Sequence, residues 1–489
     1  MLIDARSLES GTVREADVCI VGAGAAGLTL ARELAGGKLR VALLESGGFE
    51  DDPETQELSR GRVHGRSYFT LDAARTRRFG GSTWCWHGLC RPLEPADFEA
   101  REWVPDSGWP FGAAELRPFY ERAQEVIGLD AFDYGPERWS GEGLAPISLG
   151  EGFESRVFQV SPRRFGVVYR DEVIQAPNID TYLFANLTGL SVDSGADQVE
   201  TARVATLTGR RFSVRARLFV LATGGIENAR LLLASNDVQT AGLGNGRDLV
   251  GRYFMEHPHL VAGALLRSSE QVSVDFYRAR EAGRIQVAGL LVPSAALQRR
   301  EKLLAFGSFL SPSAELPPFE SALARLVAGM DRPGEEPADR AFFFMNECEQ
   351  APNPASRVRL DEDRDALGVP RVKLEWRLSN LDRESLRRGH ELLAHALGRA
   401  GLGRFQVMLD AEDLVWPAGM TGGRHHMGTT RMHASPERGV VDPHARVHGV
   451  ANLYVAGSSV FPTSGASNPT LTIVALGLRL ADRIREVLA

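Results

Sequence analysis

Cysteine is scarce in this sequence. Four residues, Cys19, Cys85, Cys90 and Cys348, are spread over 489 positions. None forms a C-x-x-C pair, and no second pair of Cys or His completes a zinc site with Cys85 and Cys90, so no metal site is expected. Scattered cysteines in a chain this long fit a reducing compartment. No C-x-x-C-H occurs, so any haem would sit on another subunit. Positive charge is not in surplus either: 56 Lys+Arg against 63 Asp+Glu leave a formal net charge of −7, which argues against a nucleic-acid partner. No apolar run reaches the roughly 18 residues of a transmembrane helix. Residues 1–17 lack an apolar signal core and a twin arginine. A cytoplasmic location is therefore expected. Repeats and low-complexity tracts are also missing.

Glycine, by contrast, is abundant at 51 residues, which suggests tight turns and close approaches of backbone to ligand. The length implies two or three domains or subdomains. Residues 17–22 form a short apolar run like a buried parallel strand. Gly22-Ala23-Gly24-Ala25-Ala26-Gly27 follows, then helical composition over 28–35, a second buried strand over 40–44, and Glu45 at its end with Ser46 next. This strand–turn–helix–strand–acid unit is a dinucleotide site. Gly22 permits the tight turn, Gly24 lets backbone approach a pyrophosphate, and Gly27 lets helix pack on strand. The helix N-terminus offers free N–H groups to the phosphates. Glu45 is placed to accept hydrogen bonds from a ribose diol, and its charge disfavours NADP.

Further along, the spacing predicts a helix near 114–126, alternating strands over 155–216 and a buried strand over 218–222. Thr223-Gly224-Gly225 turns that strand into a helix at 226–235. Residues 260–312 and 341–377 alternate and predict one substantial antiparallel sheet. Between them 313–340, rich in Pro, Ala and acid, reads as a surface excursion or lid. A helix is expected over 381–400. Asn468-Pro469-Thr470 reads as an N-cap followed by proline at the first helical position, opening a mostly buried final helix. The motif at 22–27 does not separate FAD from NAD, but a second strand-turn at Ala222-Thr223-Gly224-Gly225, far downstream, is typical of FAD folds.

Three further stretches complete the pattern: G-G-S-T-W-C-W-H-G at 80–88, H-H-M-G-T-T-R-M at 425–432, and N-L-Y-V-A-G-S-S-V-F-P-T-S-G-A-S-N-P-T at 452–470. Together with the N-terminal motif they resemble the glucose-methanol-choline (GMC) oxidoreductases over nearly the whole chain. A-T-G-G-I-E-N-A-R-L-L at 222–232 and M-E-H-P-H at 255–259 resemble its branch of pyranose oxidases and FAD-dependent sugar dehydrogenases. The resemblance implies an α/β, Rossmann-like FAD-binding domain plus an α+β substrate domain with an antiparallel sheet. The expected boundaries are 1–100, 155–258 and 415–489 for the first, and 101–154 and 259–414 for the second. It also implies oxidation of an alcohol, on a sugar, glycoside or other polyol, to a carbonyl by hydride transfer to flavin N5.

Motif register implies that His425, not His426, is the catalytic base and that Asn468 is its partner. A neutral imidazole suits removal of the hydroxyl proton, and an amide holds the substrate oxygen without titrating. The final helix should point its N-terminus at the flavin pyrimidine, with Pro469 and Thr470 as contacts, where reduction places negative charge. Gly457 and Ser458 should meet the pyrophosphate or ribityl chain, and Ala222, Thr223 and Gly224 complete the turn. Gly80, Gly81, Ser82 and Thr83 should approach the isoalloxazine, with Trp86 beside them. Some members carry a flavin-linking histidine near there. Here that place holds Cys85, with His87 two residues on, so dissociable FAD is expected. Trp84, His257 and His426 are expected at the substrate pocket, with His259 an alternative to His257. Arg75, Arg77 and Arg78 are expected to be solvated or phosphate-facing. The electron acceptor is left between dioxygen and a quinone, with or without a haem subunit. Two alternatives remain, a lyase of the same family without net redox chemistry and a non-catalytic flavoprotein subunit.

Overall fold

Val18, Cys19 and Ile20 are fully buried, as residues of a parallel strand covered on both faces must be. The computed structural model describes residues 1–269, 273–312, 341–409, 416, 417 and 419–489, and it places Val13–Val21 centrally in an eight-stranded sheet. On one side lie Val41–Leu44, Ile179–Leu183 and Leu2–Asp4, all parallel. On the other lies Arg211–Leu221, also parallel. Its C-terminal part pairs with Leu453–Val455, and its N-terminal part leads antiparallel into Val199–Ala205 and then Asn186–Val192. The sheet thus collects strands from both ends and the middle of the chain.

The first helix spans Ala25–Leu34, three residues earlier than its composition suggests, because Ala25 and Ala26 continue it back to Gly24. Its seat on the strand depends on Gly27: a Cβ there would lie 1.8 Å from the Gly22 carbonyl oxygen. The final helix, Thr470–Leu488, packs on Ala25–Leu34 and Ala113–Ile127. It starts one residue later than expected. Pro469 takes the cap position and no side chain caps the helix, so Asn468 is not the N-cap and its amide is free to turn elsewhere.

Among the described residues the second sheet has nine strands, all paired antiparallel. Its order is Gly403–Val407, Pro258–Arg267, Ala341–Cys348, Phe306–Pro312, Ile285–Pro293, Phe153–Val160 and Leu89–Cys90. Arg280–Ala282 and Thr421–Gly422 pair at its margins. Leu89–Cys90 and Phe153–Val160 therefore belong to this layer, and the expected boundaries at 100 and 155 do not coincide with the sheets. The expected single sheet also divides. Arg357–Arg364 and Pro370–Trp376 join Gly61–Gly65 in a separate three-stranded sheet. Helix Asn380–Arg399, opened by a reciprocal Ser379–Asp382 capping box, packs on Gly403–Val407. The expected lid over 313–340 lies outside the described residues. Among the described residues no helix is long and apolar enough to cross a membrane.

Candidate active site

Strand pairing brings the site together. In the second sheet His259 stands opposite Glu347 on one side and Thr421 on the other. Met255 and Met427 exchange both backbone hydrogen bonds at 3.0 Å. The run from Thr421 to Met427 is thereby laid along Met255–His259, and His425 comes to rest over His257 and His259, at ring-centroid distances of 5.0 and 5.9 Å. The same run is tied to the first sheet. Ser458 Oγ donates to the His426 carbonyl at 2.7 Å, and Thr429 Oγ1 donates to the Gly225 carbonyl. Asn228 Nδ2 donates to the Ala456 carbonyl at 3.1 Å and to Ser459 Oγ at 2.9 Å. Gly225 is required, since a Cβ there would meet the His426 carbonyl at 2.1 Å.

A cavity of about 660 Å³ is lined by residues of both sheets, and the dinucleotide turn and the candidate catalytic pair both line it. Gly22, Gly24, Ala25, Ala26, Glu45 and Ser46 line it, as do Gly81, Ser82, Thr83 and Trp86. Ala222, Thr223, Gly224, Gly457 and Ser458 line it too, together with His425, His426, Asn468, Pro469 and Thr470. Gly27 and Gly80 lie behind the wall, where each permits close packing: a Cβ on Gly80 would meet the Gly166 nitrogen at 2.6 Å. Trp84 is not in the substrate pocket. Its Nε1 donates to the Phe79 carbonyl at 2.8 Å and its ring lies 3.7 Å from the Arg78 guanidinium. His257 is fully buried behind His425 and does not reach the cavity either; His259 lines it instead.

The residues fit a flavin dinucleotide. The Gly22–Ala26 turn is open to the cavity, and a Cβ on Gly24 would meet only the Gly81 Cα at 4.0 Å. Glu45 accepts backbone N–H groups from Ala23 and Gly47, both at 2.8 Å, one on each oxygen. Each oxygen keeps a lone pair for a ribose hydroxyl. Asn468 Oδ1 and His259 Nε2, buried polar atoms of residues that line the cavity, find no partner among the described residues. Such orphans are costly unless a ligand fills them.

Comparison with known proteins agrees with this geometry. The family model described as "FAD dependent oxidoreductase" matches residues 17–289, and that described as "GMC oxidoreductase" matches 352–477. This chain belongs to the GMC oxidoreductases. It is similar to the fructose dehydrogenase large subunit of Gluconobacter japonicus, 23% identical over 97% of this chain and 98% of that one. It is 27% identical to the 6'''-hydroxyparomomycin C oxidase of Streptomyces lividus over 99% and 94%. With the C-glycoside 3-oxidase of Microbacterium trichothecenolyticum it shares 27% identity over 85% and 76%. In solved structures the fold resembles Aspergillus oryzae formate oxidase, with a TM-score of 0.60 at 17% identity over 97% and 98% of the chains. It also resembles pyridoxine 4-oxidase from Mesorbium loti, with a TM-score of 0.56 at 18% identity over 96% and 99%. As a member of this family the chain is an FAD-dependent oxidoreductase of alcohols.

In this GMC oxidoreductase the two ring nitrogens of His425 face different partners. Nε2 lies 3.3 Å from Asn468 Nδ2. Nδ1 lies 2.9 Å from His257 Nδ1 and 3.5 Å from Glu347 Oε1. Glu347 Oε1 is also 2.8 Å from His257 Nδ1. A cation could be offered three ligand atoms here, but two ring nitrogens 2.9 Å apart are at the distance of a shared proton. Burial would raise the Glu347 carboxyl, yet contact with His257 and the neighbouring imidazoles hold it at about 2. Burial lowers His257, but Glu347 outweighs this and raises it above the ordinary imidazole value. His425 goes the other way, well below that value, chiefly by burial and then by His257, His259 and His426, against the pull of Glu347. His426 is lowered to about 3 by burial, then by Arg75 and Arg424. Its Nε2 lies 2.9 Å from the hydroxyl of Tyr68, which also bonds Glu256.

Several of these groups escape sequence reasoning. Arg75 and Arg77 are neither solvated nor free for phosphate. Each places a guanidinium nitrogen 2.8 Å from a Glu227 oxygen, and Arg230 reaches the same carboxylate at 2.8 Å. Burial raises Glu227, but these three cations hold it well below the carboxylate range. Arg78 is likewise mostly buried, donating to the Phe49 carbonyl at 2.6 Å. Glu347 had one visible signal, an acid inside the apolar strand Ala341–Cys348. A carboxylate in such a run is seldom buried without a paired charge. Its facing His259 depends on strand register, which no local pattern specifies.

Proposed function

We propose that this chain oxidises a hydroxyl group of a sugar or related polyol to a carbonyl, with His425 Nε2 receiving the hydroxyl proton while the carbinol C–H leaves as hydride. Bound FAD supplies the hydride acceptor. The observation that carries the reading is the shared cavity: residues of the Gly22–Ala26 turn line the same space as His425 and Asn468. A substrate hydroxyl between Nε2 and the Asn468 amide donates to the former and accepts from Nδ2. Asn468 Oδ1 and His259 Nε2, both unpartnered, remain for neighbouring hydroxyls, as a polyol supplies. The relatives named for fructose, 6'''-hydroxyparomomycin C and C-glycosides support the carbohydrate class. Cys85 in place of the linking histidine, with His87 two residues further on, supports FAD held without a covalent bond. Electrons then leave to dioxygen or a quinone-like acceptor.

For His425 to serve as base, Nε2 must be bare and the ring proton must sit on Nδ1, toward His257 and Glu347. The competent form therefore has Glu347 ionised and one proton between the two Nδ1 atoms. When Nε2 takes the substrate proton, the new positive charge lies 3.5 Å from the Glu347 carboxylate. The test is a panel of sugars, glycosides and aliphatic alcohols added anaerobically to the FAD-loaded protein, then dioxygen or a quinone. Bleaching of the flavin by a sugar or polyol and its recovery with an acceptor are expected. An unchanged yellow spectrum with every polyol would refute the reading in favour of a lyase or a non-catalytic flavoprotein.

A further inference from the structure

Resting on the reading of alcohol oxidation above, we infer that Arg424 receives an anionic group of the substrate, a carboxylate or phosphate carried by the polyol. The inference comes from the charges on the cavity wall. Among the described residues three arginines line it: Arg75, Arg77 and Arg424. The first two are taken up by Glu227. The three lining carboxylates among the described residues are also engaged, Glu45 by backbone N–H groups, Glu227 by arginines and Glu347 by His257. Arg424 alone differs. It is exposed at the cavity, and its guanidinium has no carboxylate within ion-pair distance among the described residues.

Its geometry suits an oxyanion. The guanidinium carbon sits 4.2 Å from the centre of the Phe69 ring. Stacking on an aromatic face uses the flat surface of the group and leaves its N–H edges free for a two-pronged bond to carboxylate or phosphate. Arg424 and His425 line the same cavity, so one small molecule can present an anion to the first and a hydroxyl to Nε2 of the second. The backbone at Arg424 is left-handed, with φ 60, a conformation unfavourable for a residue with a side chain. It is fixed between Gly423 and His425 by the pairing of Thr421–Gly422 with Pro258–His259. The charge also bears on the cavity interior, since it opposes protonation of His426 and pulls against the rise of Tyr68. A cationic amino sugar would be repelled by the same group.

The test compares D-glucose, D-glucuronate and D-glucose 6-phosphate with the FAD-loaded protein under anaerobic conditions, at low and high salt. Flavin bleaching is followed against concentration. At least one acid should half-saturate at about 10- to 100-fold lower concentration than glucose, as charge-assisted bonds imply, and salt should erode that advantage. The two acids distinguish carboxylate from phosphate. Arg424→Gln should cost that acid at least about tenfold more than glucose, and Arg424→Lys should restore part of it. No advantage for either acid, or an equal loss for acid and neutral sugar in Arg424→Gln, would overturn the inference while leaving the oxidation reading intact. If none of the three bleaches the flavin, alcohol oxidation itself is in question. Equilibrium titration with glucuronate and glucose 6-phosphate, read from flavin absorbance, then decides Arg424. Binding lost in Arg424→Gln supports it, and absence of binding or binding unchanged in the variant overturns it.

Discussion

Replacing Glu347 by glutamine removes a charge and keeps the shape. The carboxylate oxygen lies 3.5 Å from His425 Nδ1 and 2.8 Å from His257 Nδ1. At an effective dielectric constant of ~20, unit charges at those separations attract by about 5 and 6 kcal/mol. Relaxation and shared protonation reduce this to the usual effect of a neighbouring charge, about one to three pKa units. Two consequences follow with definite signs. The positive charge formed when His425 takes a proton loses its carboxylate, so the plateau rate of flavin reduction should fall about 10- to 100-fold. His257, raised against burial chiefly by Glu347 and then by Glu256, should lose its extra proton at lower pH. The base-competent form then appears earlier. In the native protein the rate should rise with pH through a midpoint above the ordinary imidazole value, and in Glu347→Gln that limb should move down. Stopped-flow reduction across pH, with absorbance to verify FAD content, measures both. A plateau and limb unchanged in Glu347→Gln would refute the electrostatic role. A lower rate without movement of the limb would leave Glu347 merely structural.

Three other outcomes are expected. In Gly423→Ala the new Cβ would lie 2.8 Å from His425 Nδ1 and 2.9 Å from His259 Nε2; displacing the base by a fraction of an ångström should slow flavin reduction about 10- to 100-fold with FAD still bound. Gly27→Ala, whose Cβ would meet the Gly22 carbonyl oxygen at 1.8 Å, should yield protein without flavin, seen in the ratio of absorbance at 450 to 280 nm, the two customary wavelengths. Acid precipitation should release all FAD to the supernatant; flavin retained by the pellet, and freed in Cys85→Ser, would show a covalent bond at that residue.

The parts of the molecule legible in the sequence are those with local rules. The turn at Gly22–Gly27 and the strands around it follow from glycine geometry and apolar runs, and the helices at 113–127, 224–234 and 380–399 follow from periodicity. Motif register brought His425 and Asn468 to one cavity, 3.3 Å apart. Relations set by long-range pairing escaped. The stretch 357–376 alternates as the larger sheet does, but its partner is Gly61–Gly65, and nothing in alternation tells one neighbour from another. Glu347 reaches His257 and His425 only because the two strands register His259 against it. Arg75 and Arg77 look solvated in sequence because their counter-charge, Glu227, is some 150 positions away. Asn468 reads in sequence both as a cap and as the partner of His425; the final helix starts one residue later, at Thr470 after Pro469, and Asn468 does not cap it.

The central claim, that His425 takes the proton as hydride leaves the alcohol carbon, is tested most directly by rapid mixing of FAD-loaded His425→Ala with a sugar that bleaches the native flavin. The variant should keep its FAD spectrum and be reduced at least about 100-fold more slowly, the usual contribution of a positioned base. Reduction at the native rate would contradict the account.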